Sequence, residues 1–223
     1  LVVTDDAGNF KTVTEAGAVE VDDTVSSVSV DSADTPAQPT DTITVTGSAS
    51  SSSDDVTFQV KDPDGDAATT TKTISSTSFS VSIDLGALSY SGGNGDGLSD
   101  GSVTLNAQQE PSFSTADAST TFDVDSTIDT ANIDSPTSVS PPTVKSGNSV
   151  SVQYDAEDTN FKDATLKINN GPDNEIVSQS VSAGTDTTKS LSVPSNTADG
   201  SYDLVLVVTD DAGNFKTVTE AGA

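Results

Sequence analysis

The sequence predicts an all-β fold, and three observations support this prediction. Val outnumbers Leu by 25 to 9, and Ser and Thr together make up 67 of the 223 residues. Apolar residues alternate with polar ones over short stretches, which is the pattern of strands that bury one face. Gly, Pro, Asn and Asp separate these stretches, as expected for turns between strands.

The charge of the chain is strongly negative. It contains 35 acidic residues against 8 basic ones, for a net charge of -27, and all of the bases are Lys. So negative a chain is repelled by phosphate backbones and by anionic lipid, so we predict no nucleic-acid partner. No stretch approaches 18 consecutive apolar residues, so we predict no membrane insertion in this segment.

The composition argues against catalysis. His and Cys are both absent, which excludes a Ser-His-Asp triad, an imidazole metal ligand, a thiolate nucleophile and a disulfide framework. A pair of carboxylates can hydrolyse glycosides when a cleft holds them at the right separation. Nothing in the sequence singles out one such pair, so we predict a protein that is not an enzyme and has no catalytic residues.

An internal repeat organises the chain. Residues Leu1–Ala18 recur without a change as Leu206–Ala223, at an offset of 205 residues. Such identity is typical of an array of similar modules. We therefore expect the sequence to be a window from a longer protein built of near-identical repeats of about 205 residues.

A weaker periodicity divides the repeat into two domains. The stretch that begins Val21-Asp22-Asp23-Thr24 resembles the stretch that begins Val124-Asp125-Ser126-Thr127. We predict a first domain at 22–124 and a second at 125–223, with 1–21 as the closing hairpin of a preceding domain plus a junction.

Seven strands are expected in each domain. Those of the first domain are predicted at Val25–Val30, Thr42–Thr46, Val56–Lys61, Thr69–Ile74, Phe79–Leu85, Ser102–Ala107 and Thr120–Val124. Those of the second are predicted at Ile128–Ile133, Ser149–Tyr154, Thr165–Ile168, Ile176–Val181, Lys189–Val193, Ser201–Thr209 and Phe215–Thr219. Seven short strands separated by turn signals predict an immunoglobulin-like β-sandwich in each half, in tandem.

The end of the second domain carries a family resemblance. Asp199-Gly200-Ser201-Tyr202 and Asp210-Asp211-Ala212-Gly213-Asn214 resemble the last hairpin of bacterial and archaeal immunoglobulin-like repeats, and the Val-Asp-x-Thr junctions resemble their linkers. The first domain departs from the pattern, since Val103 stands where the Tyr is expected. In such folds a Tyr at this place forms a tyrosine corner by bonding to nearby backbone.

The resemblance implies an extracellular structural role. Such repeats occur in giant adhesins and surface-layer proteins, and the acidic, Cys-free composition is similar to cell-surface proteins of halophilic archaea. The expected function is a repeat unit of an extracellular fibre, stalk or surface layer at the cell surface, whose partners are neighbouring repeats or copies of itself. The alternative is an adhesin or carbohydrate-binding module that recognises a cell surface or a glycan.

Two turns have calcium-like spacing. One places carboxylates at alternate positions, and the other spaces oxygen donors along a Gly-rich loop; their candidate ligands are Asp62, Asp64, Asp66, Asn94, Asp96 and Asp100. Calcium requires six to eight oxygens, which closely spaced Asp residues supply. Neither turn has the twelve-residue pattern that ends in Glu, so ordinary solvated turns are the simpler explanation of both.

The junctions between domains are a further candidate calcium site. The carboxylates expected there belong to Asp22, Asp23, Asp125, Asp210 and Asp211. In the adhesins that the chain resembles, junction carboxylates hold calcium and stiffen the array. A competing explanation needs no site, because molar salt of any kind screens the charge of the chain.

One strand suggests a contact surface. If Leu204, Leu206 and Val208 face the core, Val205 and Val207 point outward. An apolar pair on so acidic a surface is a candidate contact with another domain or chain. The alternative is a Val-rich strand that neighbouring side chains partly cover.

Overall fold

The fold was determined from a computed structural model, which describes the backbone of residues 2–4 and 10–12 and all atoms of 27–52, 55–94, 97–109, 116–172 and 174–222. Within these ranges the secondary structure is β, apart from one 3₁₀ turn at Leu85–Ala87, and no helix there could cross a membrane. The prediction of an all-β fold is confirmed.

A short hairpin precedes the sandwiches. Strand β1 (Val2–Thr4) pairs antiparallel with β2 (Phe10–Thr12).

The first sandwich is built from two sheets. Its strands are β3 (Val28–Ala33), β4 (Thr42–Ala49), β5 (Asp55–Lys61), β6 (Asp66–Thr73), β7 (Ser78–Asp84), β8 (Ser91–Gly92), β9 (Gly101–Gln108) and β10 (Ala118–Val124). One sheet has the order β3-β4-β7 and the other the order β10-β9-β5-β6-β8, with antiparallel pairing throughout.

Alternation along the strands builds the first core. In β4, Ile43 and Val45 are buried while Thr42 and Thr44 are exposed, because successive side chains point to opposite faces. Phe58 of the facing sheet meets Phe79 edge to face, with ring centroids 6.0 Å apart. An edge-to-face contact of this kind suits the charge distribution of aromatic rings.

The second sandwich repeats the same architecture. Its strands are β11 (Thr130–Ser135), β12 (Ser149–Glu157), β13 (Phe161–Asn169), β14 (Glu175–Val181), β15 (Gly184–Ser192), β16 (Asp203–Asp210) and β17 (Phe215–Glu220). The sheets have the orders β11-β12-β15 and β14-β13-β16-β17. Each sandwich has its own core of buried residues. The second has the seven strands of an immunoglobulin-like domain, and the first adds the two-residue edge strand β8 to the same arrangement.

Each of the fourteen predicted strands overlaps an observed one, and the differences lie at their ends. Strand β6 begins three residues earlier than predicted, and β15 begins five residues earlier. The added residues in β15 are mainly Gly, Thr and Asp, which show no apolar alternation. Their strand conformation depends on pairing with β12, which local sequence does not reveal.

The hairpin β16–β17 agrees with the resemblance. Leu204, Leu206 and Val208 are buried in the core as predicted. The hydroxyl of Tyr202 donates to the carbonyl oxygen of Ala198 at 2.7 Å, which is the expected tyrosine corner. The first sandwich uses another tyrosine, since the Tyr90 hydroxyl donates to the carbonyl oxygen of Leu85 at 3.3 Å.

The predicted outward apolar pair on β16 is a partial error. Val205 is only 8% exposed and Val207 is half-buried. In the sheet, Val205 lies between Lys167 of β13 and Thr219 of β17. Neighbouring side chains on the outer face of a sheet, including the aliphatic part of a Lys, can cover a Val in this way.

Candidate metal centre at the junction of the two sandwiches

The sandwiches meet at Asp125, the residue that follows β10. Its backbone N–H donates to the carbonyl oxygen of Ala37 in the first sandwich at 2.9 Å. Its carbonyl oxygen accepts from Nδ2 of Asn214 in the second sandwich at 2.9 Å. Gln38 of the first sandwich lies close to Gly213 of the second. The Nε2 atom of Gln38 is 3.6 Å from the position that a Cβ on Gly213 would occupy. The backbone of Asp125 is therefore bonded to both sandwiches.

Three carboxylates converge at this point. Asp125, Asp158 and Asp210, which we name the junction cluster, each place a carboxylate oxygen within 4.8 Å of the others. Asp158 lies in the turn between β12 and β13, and Asp210 begins the turn between β16 and β17. Both turns lie at the same end of the second sandwich because β13, which begins just after Asp158, pairs antiparallel with β16, so that Phe161 lies opposite Asp210.

Two asparagines orient the junction cluster. Asn160 donates from Nδ2 to Oδ2 of Asp125 and from its backbone to Oδ1 of Asp158, both at 2.8 Å. Asn214 donates from its backbone to Oδ1 of Asp210 and from Nδ2 to Oδ2 of the same residue, both at 2.7 Å. These bonds fix the carboxylates in a preformed arrangement.

The electrostatics of the junction cluster are unfavourable without a cation. Asp125 is 8% exposed and Asp210 is fully buried. Burial raises the pKa of Asp158 above its ordinary value, and the negative charges of Asp125 and Asp129 raise it further. In the part of the chain that the structure describes, the only ion pair joins Lys167 to Glu175 at 3.0 Å, away from the junction. Buried charges of one sign are costly unless a counter-ion or a proton compensates them.

The donor set of the junction cluster fits calcium. All of its ligating groups are carboxylate oxygens, the hard donors that calcium prefers, and three carboxylates can offer up to about six oxygens. Asp125, Asp158 and Asp210 are the residues that would hold the ion, and Asn160 and Asn214 would hold them in place.

The structure brings together only some of the predicted junction residues. Asp125 and Asp210 belong to the junction cluster. Asp211 is exposed and instead donates its backbone N–H to the carbonyl oxygen of Asn160 at 2.8 Å. Asp22 and Asp23 lie outside the described residues, so their part in the other junction stays a prediction.

The two calcium-like turns pack against each other. Oδ2 of Asp64 accepts from the Ser99 hydroxyl at 2.9 Å and from Nδ2 of Asn94 at 3.5 Å. Asp62 is buried, and its carboxylate accepts from the backbone N–H groups of Asp66 at 2.8 Å and of Ser99 at 3.2 Å. Protein donors engage these oxygens, as they also do at the junction cluster, so hydrogen bonding alone does not separate the two kinds of site.

The remaining candidate ligands of these turns are Asp66, Asp96 and Asp100. Asp66 is fully buried, and Oδ2 of Asp100 accepts from the Ser126 hydroxyl at 2.9 Å. Asp96 lies outside the described residues. Among the described residues these turns form no cluster of three converging carboxylates, and calcium binding by them stays an untested prediction.

A second carboxylate cluster lies on the sheet β11-β12-β15. Carboxylate oxygens of Asp134, Asp155 and Asp186 lie within 4.8 Å of one another, at irregularities in the pairing of β12 with both of its neighbours. Burial raises the pKa of Asp134, and the charges of Asp155 and Asp186 add to this effect. A bulge redirects the side chains beside it, which explains how the three strands bring their carboxylates together.

The sequence analysis did not identify Asp158, Asn160 or Asn214 as site residues. Asp158-Thr159-Asn160 places two oxygen-bearing side chains at alternate positions of a turn, which is a detectable signal. It is a common turn pattern, however, and only the pairing of β13 with β16 and the bond from Asn160 to Asp125 show that this turn lies beside Asp125 and Asp210.

Comparisons with known proteins find similarity only at the level of structure. No protein family and no curated protein matches the chain. A solved tetra-tandem repeat in the extending region of a large adhesion protein is 21% identical, with all of this chain and 55% of that chain covered and a TM-score of 0.37. A Ca²⁺-stabilized adhesin that helps an Antarctic bacterium reach out and bind ice is 19% identical, with 100% and 54% covered and a TM-score of 0.46.

A third similar structure is a segment of two fibronectin type-III domains from chicken tenascin. It is 12% identical to this chain, with 86% of this chain and 98% of that one covered and a TM-score of 0.32. The chain spans about half the length of the two adhesin structures. The fold assignment rests on the strand pairing described above.

Proposed function

We propose that this chain is a non-enzymatic repeat unit of an extracellular fibre, stalk or surface layer, in which the sandwiches act as spacers. The observation that carries this proposal is the recurring hairpin. Val2 pairs with Thr12 in β1–β2, and Val207 pairs with Thr217 in β16–β17, so the repeated residues have the same register at an offset of 205. Identical sequence in an identical local structure supports a tandem array of one module.

The junction cluster gives the array its stiffness in this proposal. Calcium bound there supplies the positive charge that Asp125, Asp158 and Asp210 lack. Asn160 and Asn214 hold the carboxylates in position, and the backbone of Asp125 joins the two sandwiches through Ala37 and Asn214. A filled site therefore restricts the angle between the sandwiches.

The location and the environment of the protein are part of the same proposal. A cell-surface location suits a Cys-free tandem array, and the partners are neighbouring repeats or other copies. A halophilic source is supported by the acidic composition alone. Such a charge makes the array soluble and makes its stability depend on salt.

A chain of two repeats tests the proposed function. Small-angle scattering should give an extended rod whose maximum dimension is greater and better defined in calcium than in chelator at equal ionic strength. The matched control carries Asp125→Asn, Asp158→Asn and Asp210→Asn in each repeat and should lose the calcium response. Compact particles under both conditions would contradict the spacer role.

A carbohydrate-binding module is the second candidate. The observation that favours it is a cleft of about 680 Å³ on the second sandwich, lined in part by Pro141, Pro142 and Tyr202. Clefts of this size and mixed polarity commonly hold small ligands. Binding of the isolated chain on a glycan array would favour this candidate over the spacer.

A further inference from the structure

The cleft on the second sandwich lies at the end opposite the junction. It opens between the loop from β11 to β12 and the loop from β15 to β16, whereas the junction lies beyond the other end of β12. The nine residues of β12 separate the two ends by about 27 Å. The cleft and the junction cluster are therefore independent features.

Several apolar side chains lie together at this end of an otherwise acidic chain. Pro141, Pro142, Val144 and Tyr202 line the cleft, beside polar residues. Val139 lies in the same loop and is 92% exposed, and among the described residues only Phe215 is another large hydrophobic side chain with high exposure. The apolar groups form a small patch in a polar lining, which suits a short segment with a few apolar side chains as its partner.

The course of the chain indicates what that partner is. Gly222 lines the cleft, so residues that follow Ala223 would begin at its rim. In a tandem array the counterpart of Ala18 is Ala223, and Ala18 is followed by Val-Glu-Val-Asp-Asp-Thr-Val at 19–25. The first Val would be two residues from Gly222, a reach of about 7 Å. In an extended segment the first and third residues face the same side.

The first sandwich shows how such a segment is held. Its loop from β3 to β4 places Ala37 in a parallel bridge with Val124. The Ala37 N–H donates to Asp123 and its carbonyl oxygen accepts from Asp125, both at 2.9 Å. Val124 is only 2% exposed. The departing chain is thus paired with this loop and buries an apolar side chain.

The corresponding loop of the second sandwich lacks this pairing within the described residues. Within the described residues this loop instead donates a hydrogen bond to the last strand, from the Ser138 N–H to Oε2 of Glu220 at 3.2 Å. The loop is also longer and contains Pro136, Pro141 and Pro142. Where the first sandwich has a buried Val124, the second has an open cleft.

We propose that the cleft is a socket for the first segment of the following repeat, which inserts its two Val side chains beside Pro142, Val144 and Tyr202. This inference rests on the proposed tandem array. Two kinds of junction then alternate along the fibre. The one inside each repeat is polar and is the proposed cation site, whereas the one between repeats buries two Val side chains.

Two extended chains test the socket. One carries Val-Glu-Val-Asp-Asp-Thr-Val after Ala223, and its matched control carries Ser-Glu-Ser-Asp-Asp-Thr-Val, which has the same length and charge. The Val extension should raise the melting temperature of the second sandwich by about 4 °C or more over the control. It should also slow hydrogen exchange of the amides at 143–146 by about tenfold.

A change on the socket side identifies the contact. In a Val144→Ser background the advantage of the Val extension over the Ser extension should largely disappear, and comparing the two extensions cancels any cost of the substitution itself. Equal stability and exchange with both extensions would overturn the proposal, as would an advantage unaffected by Val144→Ser. Protection of 143–146 by a glycan that the Val extension fails to displace would also overturn it. A two-repeat rod that persists after such a failure would leave the spacer function intact.

Discussion

At the residue scale, Tyr202 illustrates how much a motif can predict. Its hydroxyl bonds to Ala198 at 2.7 Å, as the tyrosine-corner pattern implies. Position 103 in the first sandwich shows the limit of the motif, because Val103 occupies the expected place and is fully buried. In the first sandwich a tyrosine elsewhere in the chain, Tyr90, bonds to the backbone of Leu85, and no motif in the sequence indicates this bond.

Tyr202→Phe tests the contribution of this hydrogen bond. The substitution keeps the ring but removes the donor to Ala198, so the free energy of unfolding should fall by about 0.5–1.5 kcal/mol. Urea denaturation measures the change, and Tyr202→Leu should cost more because it also removes packing. An unchanged midpoint for Tyr202→Phe would mean that the corner contributes through packing alone.

Gly213 is a second residue whose identity the turn requires. Its φ is +93°, a conformation that strains residues with a Cβ, while the nearest atom to an added Cβ is 3.6 Å away. Gly213→Ala should therefore lower the free energy of unfolding by about 1–2 kcal/mol through backbone strain rather than a clash. Gly200→Ala is the matched control, since Gly200 lacks a positive φ. Equal effects of the two substitutions would contradict this explanation.

At the element scale, alternation predicts which face of β16 is buried but not how well the other face is covered. Leu204, Leu206 and Val208 follow directly from the period of two. The burial of Val205 depends on its neighbours Lys167 and Thr219, which come from β13 and β17. Such neighbours are fixed by the pairing of distant strands, and a single strand sequence does not contain that information.

Val205→Thr distinguishes a structural residue from an exposed contact. Because Val205 is 8% exposed, introducing a hydroxyl should cost about 1 kcal/mol of unfolding free energy. Val207→Thr should cost less, since Val207 is half-buried. Calorimetry of both variants checks the order. A larger loss at Val207 would contradict the described packing of β16.

Two carboxyl groups give a prediction about pH, one in the turn between β12 and β13 and the other in β11. The pKa values of Asp158 and Asp134 are raised, chiefly by burial. At pH values between 3.8, the ordinary pKa of Asp, and the raised pKa values, these two carboxyl groups stay protonated in the folded protein. In the unfolded chain they have already lost their protons. Stability falls as pH rises through that window, so in the absence of divalent ions acidification from neutrality into it should increase the free energy of unfolding.

Asp134→Asn isolates this effect from the general charge of the chain. The variant should show a weaker rise in stability on acidification, and Asp211→Asn controls for the loss of one exposed charge. Urea denaturation at several pH values across this window measures how steeply the free energy of unfolding of each variant changes with pH. The explanation would fail if the two variants had the same slope.

At the scale of the whole molecule, the sequence predicted the tandem sandwiches because the relevant signals are local and repeated. Turn residues, alternation and the 18-residue identity all lie within short windows. Two of the three residues of the junction cluster were predicted. The Val-Asp-x-Thr motif indicated Asp125, and the final turn indicated Asp210, but Asp158 is positioned by the long-range pairing of β13 with β16.

Because the chain is strongly acidic, two agents are expected to stabilise its fold. Salt screens the repulsion between the negative charges, and calcium would bind to the junction carboxylates. Screening responds to ionic strength whatever the ion, because the Debye length falls from about 10 Å at 0.1 M to about 3 Å at 1 M. A site responds to calcium at concentrations that hardly alter ionic strength. Both effects can operate together, but only the second depends on Asp125, Asp158 and Asp210.

The most direct test of the junction site is calorimetric titration with calcium at constant ionic strength. Millimolar calcium should raise the melting temperature of the chain by several degrees at low salt, whereas NaCl of equal ionic strength should not. Asp158→Asn should abolish most of this rise, and Asp211→Asn, in the neighbouring turn, should retain it. Equal responses to calcium and NaCl, or a calcium response that survives Asp158→Asn, would contradict a cation site at the junction.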